Sequence, residues 1–288
     1  MATLRDIKQR ISSVKNTQQI TKAMKMVSAA KLRRAQEKAL AFRDYASELA
    51  GVTSRLTAVG AAEGHPLAAE RPVKKLELFV VTSDKGLCGG FNANVLNQAI
   101  RFLKEQEEGI DINLVVSGKK ARDYLKRRPW PIIEEYLDTF RGINRSLADG
   151  ITANISDRFI KGESDAVYII FNEFISVIQQ RVILQQILPL QPPAEGETLS
   201  LPPEYIFEPD LKTLGHQLFP ELVFSQIYRA LLESSASEHG ARMAAMDAAT
   251  RNAGDLISGL TLTYNRARQA AITKELIEVV SGADALAG

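Results

Sequence analysis

The stretch LVFSQIYRALLESSASEHGARMAAMDAATRNAGDLISGLTLTYNRARQAAITKELIEVVSGADALA, residues 222–287, contains no proline. Its glycines, Gly240, Gly254, Gly259 and Gly282, stand alone, each a modest cost against helix and none a stop. The pattern predicts one helix, far beyond the length of about 11–12 residues usual in a globular domain. Such a helix cannot bury itself in a small core and needs a partner along its side. Met243, Met246, Thr250, Ala253, Ile257, Leu260, Tyr264 and Ala267 supply the stripe for one.

The partner stands at the other end of the chain. Leu4 to about Val59 is also free of proline, with Gly51 its first glycine. Leu4, Ile7, Ile11 and Val14, then Leu32, Ala35, Ala39, Phe42, Ala46 and Leu49, follow the alternating three-and-four spacing of a coiled-coil seam. Between them the same register holds Gln18, Thr21, Lys25 and Ser28, while an apolar stripe runs through Ile20, Met24 and Val27, so the seam is expected to slip there. Two long terminal helices predict an antiparallel coiled coil closed within one chain. Two amphipathic helices laid separately on a middle domain remain the alternative.

The 288 residues allow one large or two ordinary domains. No run approaches the 18 or so uncharged apolar residues of a membrane span. MATLRDIKQR leads straight into a charged amphipathic helix and does not read as a signal peptide. A single cysteine, Cys88, excludes an internal disulfide framework. His65, His216 and His239 show no metal spacing. Charge is distributed unevenly: residues 1–44 hold eleven Lys/Arg against three Asp/Glu, residues 221–288 six against eight. The basic end seeks an acidic partner. Nucleic acid fits poorly, because no aromatic residue is interleaved before Phe42 and Tyr45 and no nucleic-acid module follows.

Residues 51–72, with Gly51, Gly60, Gly64, Pro66 and Pro72, read as a linker. LELFVVTS (76–83) and INLVVSG (112–118) read as buried strands, followed by helices over about 93–107 and 119–126. Pro129 and Pro131 break the chain around Trp130. Residues 146–161 read as helix, and 165–174 and 177–190 as paired strands. YIFEPD (205–210) is extended, with Asp210 a candidate N-cap for a helix leading to Phe219. Pro220 would then open the long helix. This alternation predicts an α/β domain with a largely parallel sheet.

Gly86, Gly89 and Gly90 follow the first strand as G-x-x-G-G, which is neither the dinucleotide nor the P-loop spacing, and no acidic residue ends the second strand. A tight strand-to-helix turn is the better reading. Asp84 is the best single candidate for chemistry, and one aspartate does not make an enzyme.

Four segments carry a resemblance. ITKELIEVVSGADA (272–285), NTQQITKAMKMVSAAKLRRAQ (16–36), TSDKGLCGGFN (82–92) and YIFEPD together closely resemble the gamma-subunit family of F-type ATP synthases, over essentially the whole chain. The resemblance implies a coiled coil of the N- and C-terminal helices, with a Rossmann-like α/β domain inserted between them that binds no nucleotide or other cofactor. The expected segments are a helix over 1–60, a foot domain over 73–209 and a helix over 210–288. The implied role is a non-catalytic rotor shaft that couples rotation of the membrane c-ring to the alpha–beta catalytic head and regulates ATPase activity and proton flow. Implied partners are the alpha, beta, epsilon and delta subunits and the c-subunit ring, without nucleic acid, and with membrane association only through the complex. The implied place is the cytoplasmic face of a bacterial inner membrane, as a peripheral protein. A bacterial source, or a mature organellar one, follows from the lack of a transit peptide.

Carried over by motif, Lys22, Met24 and Lys25 match the segment facing the beta subunit, with Lys25 a departure, since some relatives are acidic there. Arg242, Arg268, Gln269, Thr273 and Glu275 match shaft contacts to the catalytic ring. Phe42, Arg43, Tyr45, Tyr205 and Glu208 match the foot at the c-ring and epsilon. Ile272, Leu276, Ile277, Val279 and Val280 match the tip held in an apolar bearing. A nucleotide-dependent enzyme and a self-associating coiled-coil scaffold are the competing classes.

Overall fold

The computed structural model describes residues 3–106, 109–191 and 207–287, with side chains through 283. The expected Tyr205 lies outside the described residues. In chain order the elements are α1 (Leu4–Ala58), β1 (Lys75–Val81), α2 (Phe91–Lys104), β2 (Asp111–Ser117), α3 (Lys119–Leu125), β3 (Ile132–Tyr136), α4 (Arg145–Ile160), β4 (Ala166–Phe174), β5 (Gln180–Leu188) and α5 (Leu211–Ala287). Two compact units result, residues 1–28 with 243–288, and residues 29–242.

The unit of residues 29–242 is built on a five-stranded sheet in the order β3-β2-β1-β4-β5, parallel except for β5, which runs antiparallel to β4. β1 and β2 read as continuous apolar runs because both their faces are covered. On one face, Val95, Leu96, Ala99 and Leu103 of α2 and Ala121 and Leu125 of α3 close over Leu78, Val80, Leu114 and Val116. On the other, Ile151, Ile155 and Phe159 of α4 and Phe219, Val223, Ile227 and Leu231 of α5 close over Phe79, Val115, Ile169 and Ile187. Each large side chain taken from water contributes roughly 1.5–3 kcal/mol before entropy is counted. Glu77, buried in β1, is held by Arg158 at 2.7 and 2.9 Å, and Arg158 also reaches Glu134.

The expected break at Pro129–Pro131 holds, and a strand that was not expected, β3, follows it. Its half-buried alternation and its place at the sheet edge tolerate the preceding prolines, which donate no ladder hydrogen bond. α5 starts at Leu211 and runs through Pro220, so the proline does not open the long helix as expected. Asp210 does cap it, accepting from the Thr213 amide at 2.9 Å. Packing carries the helix across the proline: Phe219 is fully buried, and a Cβ on Gly215 would meet the Ala61 carbonyl at 3.0 Å.

In the unit of residues 1–28 with 243–288, α1 and α5 run antiparallel, pairing Thr21 with Thr250 and Lys25 with Asp247. The seam does not slip. Thr21 (8% exposed) and Ser28 (3%) stay inside, and Ile20 (60%) and Val27 (57%) face out. A continuous helix cannot rotate its stripe for a few residues and return, so polar side chains fill the seam and bond across it. Thr21 and Thr250 hydroxyls meet at 2.8 Å, and the Gln18 amide donates to the Thr250 carbonyl at 3.4 Å. On α5 the expected stripe holds, with Met246 and Ala253 buried and Ile257, Leu260, Tyr264 and Ala267 half-buried.

Candidate functional site: a cationic cleft and two helical surfaces

The C-terminal ends of parallel strands are where a doubly wound sheet holds ligands, at the point where strand order reverses. Here that point lies between β1 and β4. α5 fills it. Ser234 and Ser237 bond the backbone amide and carbonyl of Asn172 on β4, and the Asn172 side chain donates to the Phe91 carbonyl at the start of α2. Small residues, Ser234, Ser235, Ala236, Ser237 and Gly240, allow that close approach: a Cβ on Gly240 would meet the Phe174 ring at 3.1 Å.

The glycine loop is a turn, as expected. Gly89 (φ 55°) has positive φ, as does Leu87 (φ 63°), whereas Gly90 sits at the α2 N-terminus with φ −79°. The glycine that the backbone requires is Gly118, at φ 93°, where a Cβ would lie 2.3 Å from the Thr82 carbonyl. Asp84 is occupied structurally, its Oδ1 accepting from the Lys119 and Asp138 amides. Cys88 is buried, and burial pushes its thiol pKa up.

Beside this turn opens a cleft of about 440 Å³. Lys31, Arg34 and Lys38 of α1 line it with Lys85, Arg141, Asp84, Asp138, Glu238, His239 and Arg242. Its acids are committed: Asp138 pairs with Lys119 and Arg141, and Glu238 with Arg242 at 2.6 Å. Among the described residues Lys31, Arg34, Lys38 and Lys85 pair with no carboxylate. Burial raises the Glu238 pKa against the pull of Arg242. Burial, then Arg242 and Lys31, lowers His239 to about 4, so it is neutral at physiological pH. The cleft attracts anionic groups. It offers no paired nucleophile and base.

The structure brings some expected residues together and leaves others apart. Lys25 reaches Asp247 at 2.6 Å, Lys22 is exposed and Met24 half-buried. Arg242 is spent internally, on Glu238 and on the Gly86 carbonyl at 3.2 Å. Arg268, Gln269, Thr273 and Glu275 are exposed along α5. So are Ile272 (49%), Leu276 (60%), Ile277 (59%), Val279 (69%) and Val280 (59%), an apolar girth open to solvent. Phe42 packs edge-on against Tyr228 and Phe224, and Arg43 holds the fully buried Glu233 at 2.7 Å and the Phe174 carbonyl at 3.0 Å. Tyr45 donates to Glu221, and Glu208 is exposed. Sequence reasoning missed the internal partners Glu221, Glu233, Glu238 and Asp247. It also missed the cleft, although Lys31, Arg34 and Lys38 stand at i, i+3 and i+7 on one helix face.

The architecture defines a class: terminal helices paired antiparallel, carrying an inserted α/β domain whose ligand crevice is filled by its own helix. The sequence model of the ATP synthase family matches residues 3–286. ATP synthase gamma chains of Anaeromyxobacter sp. and Geotalea uraniireducens are each 48% identical, aligned over 99% and 100% of this chain and the whole of theirs. That of Pelotomaculum thermopropionicum is 45% identical over 99% of this chain. A chain of the Tetrahymena thermophila mitochondrial ATP synthase central stalk and c-ring structure superposes with TM-score 0.64 at 29% identity, covering 80% of this chain and 99% of that one. A chain of the Euglena gracilis mitochondrial enzyme shares the fold, with TM-score 0.70 at 20% identity over 98% and 94% of the two chains. The chain belongs to the ATP synthase gamma-chain family.

Proposed function

We propose that this chain is the central rotor shaft of an F-type ATP synthase, transmitting c-ring rotation to the alpha–beta head, where catalysis takes place. The observation that carries this reading is the outward apolar face of the helical pair. Its seam is polar at Gln18, Thr21, Lys25 and Ser28, while large apolar side chains face out at Ile20, Met26, Val27, Leu256 and Leu262 and around the α5 tip. A helix apolar around much of its girth calls for a surrounding sleeve. Residues 272–283 fit an apolar bearing, and Lys22, Met24, Lys25, Arg268, Gln269, Thr273 and Glu275 the moving contacts to the ring.

The chain itself is read as non-catalytic. The filled crevice at Asn172 and the structural use of Asp84 support that reading. Phe42, Arg43, Tyr45, Tyr205 and Glu208 belong to the foot that meets the c-ring and epsilon, within an α/β domain of residues 73–209 between shaft segments 1–60 and 210–288. Alpha, beta, epsilon and delta subunits complete the complex, which holds the chain at the cytoplasmic face of a bacterial inner membrane. Coupling through the shaft gives it control of ATPase activity and proton flow.

Mixing the chain with alpha and beta subunits from the same source tests the reading. Steady ATP hydrolysis by an assembly containing one copy of this chain is expected, with activity falling when residues 272–288 are removed. Failure to assemble overturns the reading. Retained activity without the tip moves the coupling contact to the basic helix. A saturating nucleotide that raises the melting temperature of the isolated chain argues instead for a nucleotide-binding protein, because binding to the native state alone must stabilise it.

A further inference from the structure

The segment KKARDYLKRRPWPII, residues 119–133, is not used by the reading above. It spans α3, the following turn and the start of β3. Between residues 119 and 128 stand six cations and one acid, Asp123, which is already paired with Arg122 at 2.8 Å. Lys126, Arg127 and Arg128 are consecutive and exposed, and among the described residues none pairs with a carboxylate. Arg128 lies over the Tyr124 ring at 5.1 Å and donates to its hydroxyl at 3.2 Å. Trp130 is half-buried between exposed Pro129 and Pro131, and Ile133 is 42% exposed. Beside the indole is a hollow of about 490 Å³ that also touches Lys75, Asp111 and Glu163.

The position of this loop matters as much as its composition. β1 to β4 are parallel, so Lys75, Asp111, Ile132 and Ala166 all start at one end of the sheet, and the loop opens there. The start of α5 is at the same end. The His216 ring lies 4.8 Å from that of His65, and the Leu190 amide donates to the Leu67 carbonyl just past the Val167–Leu188 pairing that begins β4. Exposed Glu208 therefore shares an end of this unit with Lys126–Ile133.

We propose that Lys126, Arg127, Arg128, Trp130 and Ile133 form a contact for anionic phospholipid headgroups. Adjacent cations supply attraction to a negative leaflet, an indole half in and half out suits the headgroup layer, and an exposed isoleucine three residues on adds apolar surface. Each basic residue at an anionic surface changes partitioning about fivefold, too little for anchoring by three alone. The contact is weak and reversible, adding to the hold of the complex. It rests on the rotor reading only for its location at a membrane.

Trp130 is the sole tryptophan, so its emission reports this loop. The full chain is titrated with phosphatidylcholine vesicles containing or lacking phosphatidylglycerol. The expected result is a blue shift and protection from acrylamide with the anionic vesicles, absent with the neutral ones. Raising salt from about 0.05 to 0.5 M should abolish it by shortening the screening length. Lys126→Gln/Arg127→Gln/Arg128→Gln, all exposed, should keep the circular dichroism spectrum and weaken partitioning about a hundredfold. Vesicle binding with Trp130 emission unmoved assigns the effect to the basic helix α1 and overturns the proposal, as does an unchanged triple variant. A stronger Trp130 response to a single-stranded oligonucleotide assigns the loop to nucleic acid and overturns it equally. Hydrolysis with alpha and beta needs no membrane, so it scores the rotor reading separately.

Discussion

Arg43 shows how a residue picked out by motif acquires a structural duty on folding. Its guanidinium neutralises Glu233, which has no exposed surface and also accepts from the Phe174 amide. Arg43→Ala leaves that carboxylate buried and unpaired, and about 3–5 kcal/mol of stability should be lost in a denaturant titration. Adding Glu233→Gln should recover part of the loss. If Arg43→Ala is as stable as the parent, the pair contributes nothing. At His239 the prediction concerns pH. The folded imidazole is held near 4, below the ordinary value of about 6.5. Between those values the unfolded chain binds a proton that the native state refuses, so stability falls as pH drops from about 6.5 to 4 and levels off below. Full expression of the shift amounts to about 3 kcal/mol. His239→Gln should remove that part of the pH dependence while the opposite trends from Glu77 and Glu238, whose pKa values are raised, remain. Gly118→Ala should fail more severely, because the new Cβ runs into the Thr82 carbonyl in a backbone region side chains avoid.

At the scale of the element, the helical pair of residues 1–28 and 243–288 decides its own chemistry. The Thr250 hydroxyl donates to the Met246 carbonyl at 2.7 Å and accepts from the Thr21 hydroxyl at 2.8 Å. Thr21→Val alone should cost about 1 kcal/mol, and Thr21→Val with Thr250→Val should recover that loss or exceed it in thermal melts, since an unmet partner is the expensive state. Lys25 and Asp247 are partly exposed, at 43% and 31%. A double-mutant cycle on them should give a coupling of about 0.2–1 kcal/mol that shrinks with salt. Periodicity made the helices, the bounds of α1 from Leu4 to about Val59 and the α5 stripe legible. It misplaced the seam at Ile20 and Val27 because apolar residues are assigned to a core by habit, and here an outward face carries them. It missed β3 because IIEEY is a short edge strand whose two glutamates leave little apolar pattern to read.

For the whole molecule, stability is expected to be graded. Residues 223–242 of α5 are buried or half-buried against the sheet and its helices, whereas residues 272–283 are exposed throughout. Amide hydrogen exchange should show protection in the first segment at least about a thousandfold above the second in the isolated chain. On assembly with alpha and beta subunits, the tip should gain protection if a sleeve encloses it. Equal exchange of the tip before and after assembly would remove the bearing from the reading.

Repeated spacing along one chain determined the two long helices and the strand–helix alternation, since each depends on neighbours close in sequence. The charge asymmetry and the four motif segments likewise needed no coordinates. Tertiary structure decided what those residues do with one another. It turned Arg43, Arg242 and Asp84 inward onto Glu233, Glu238 and two backbone amides, and it brought Lys31 and Lys85 to one cleft. It also set the serines of α5 into the crevice where strand order reverses. Burial and charge pairing are properties of groups far apart in the chain, and no local pattern encodes which distant partner will arrive.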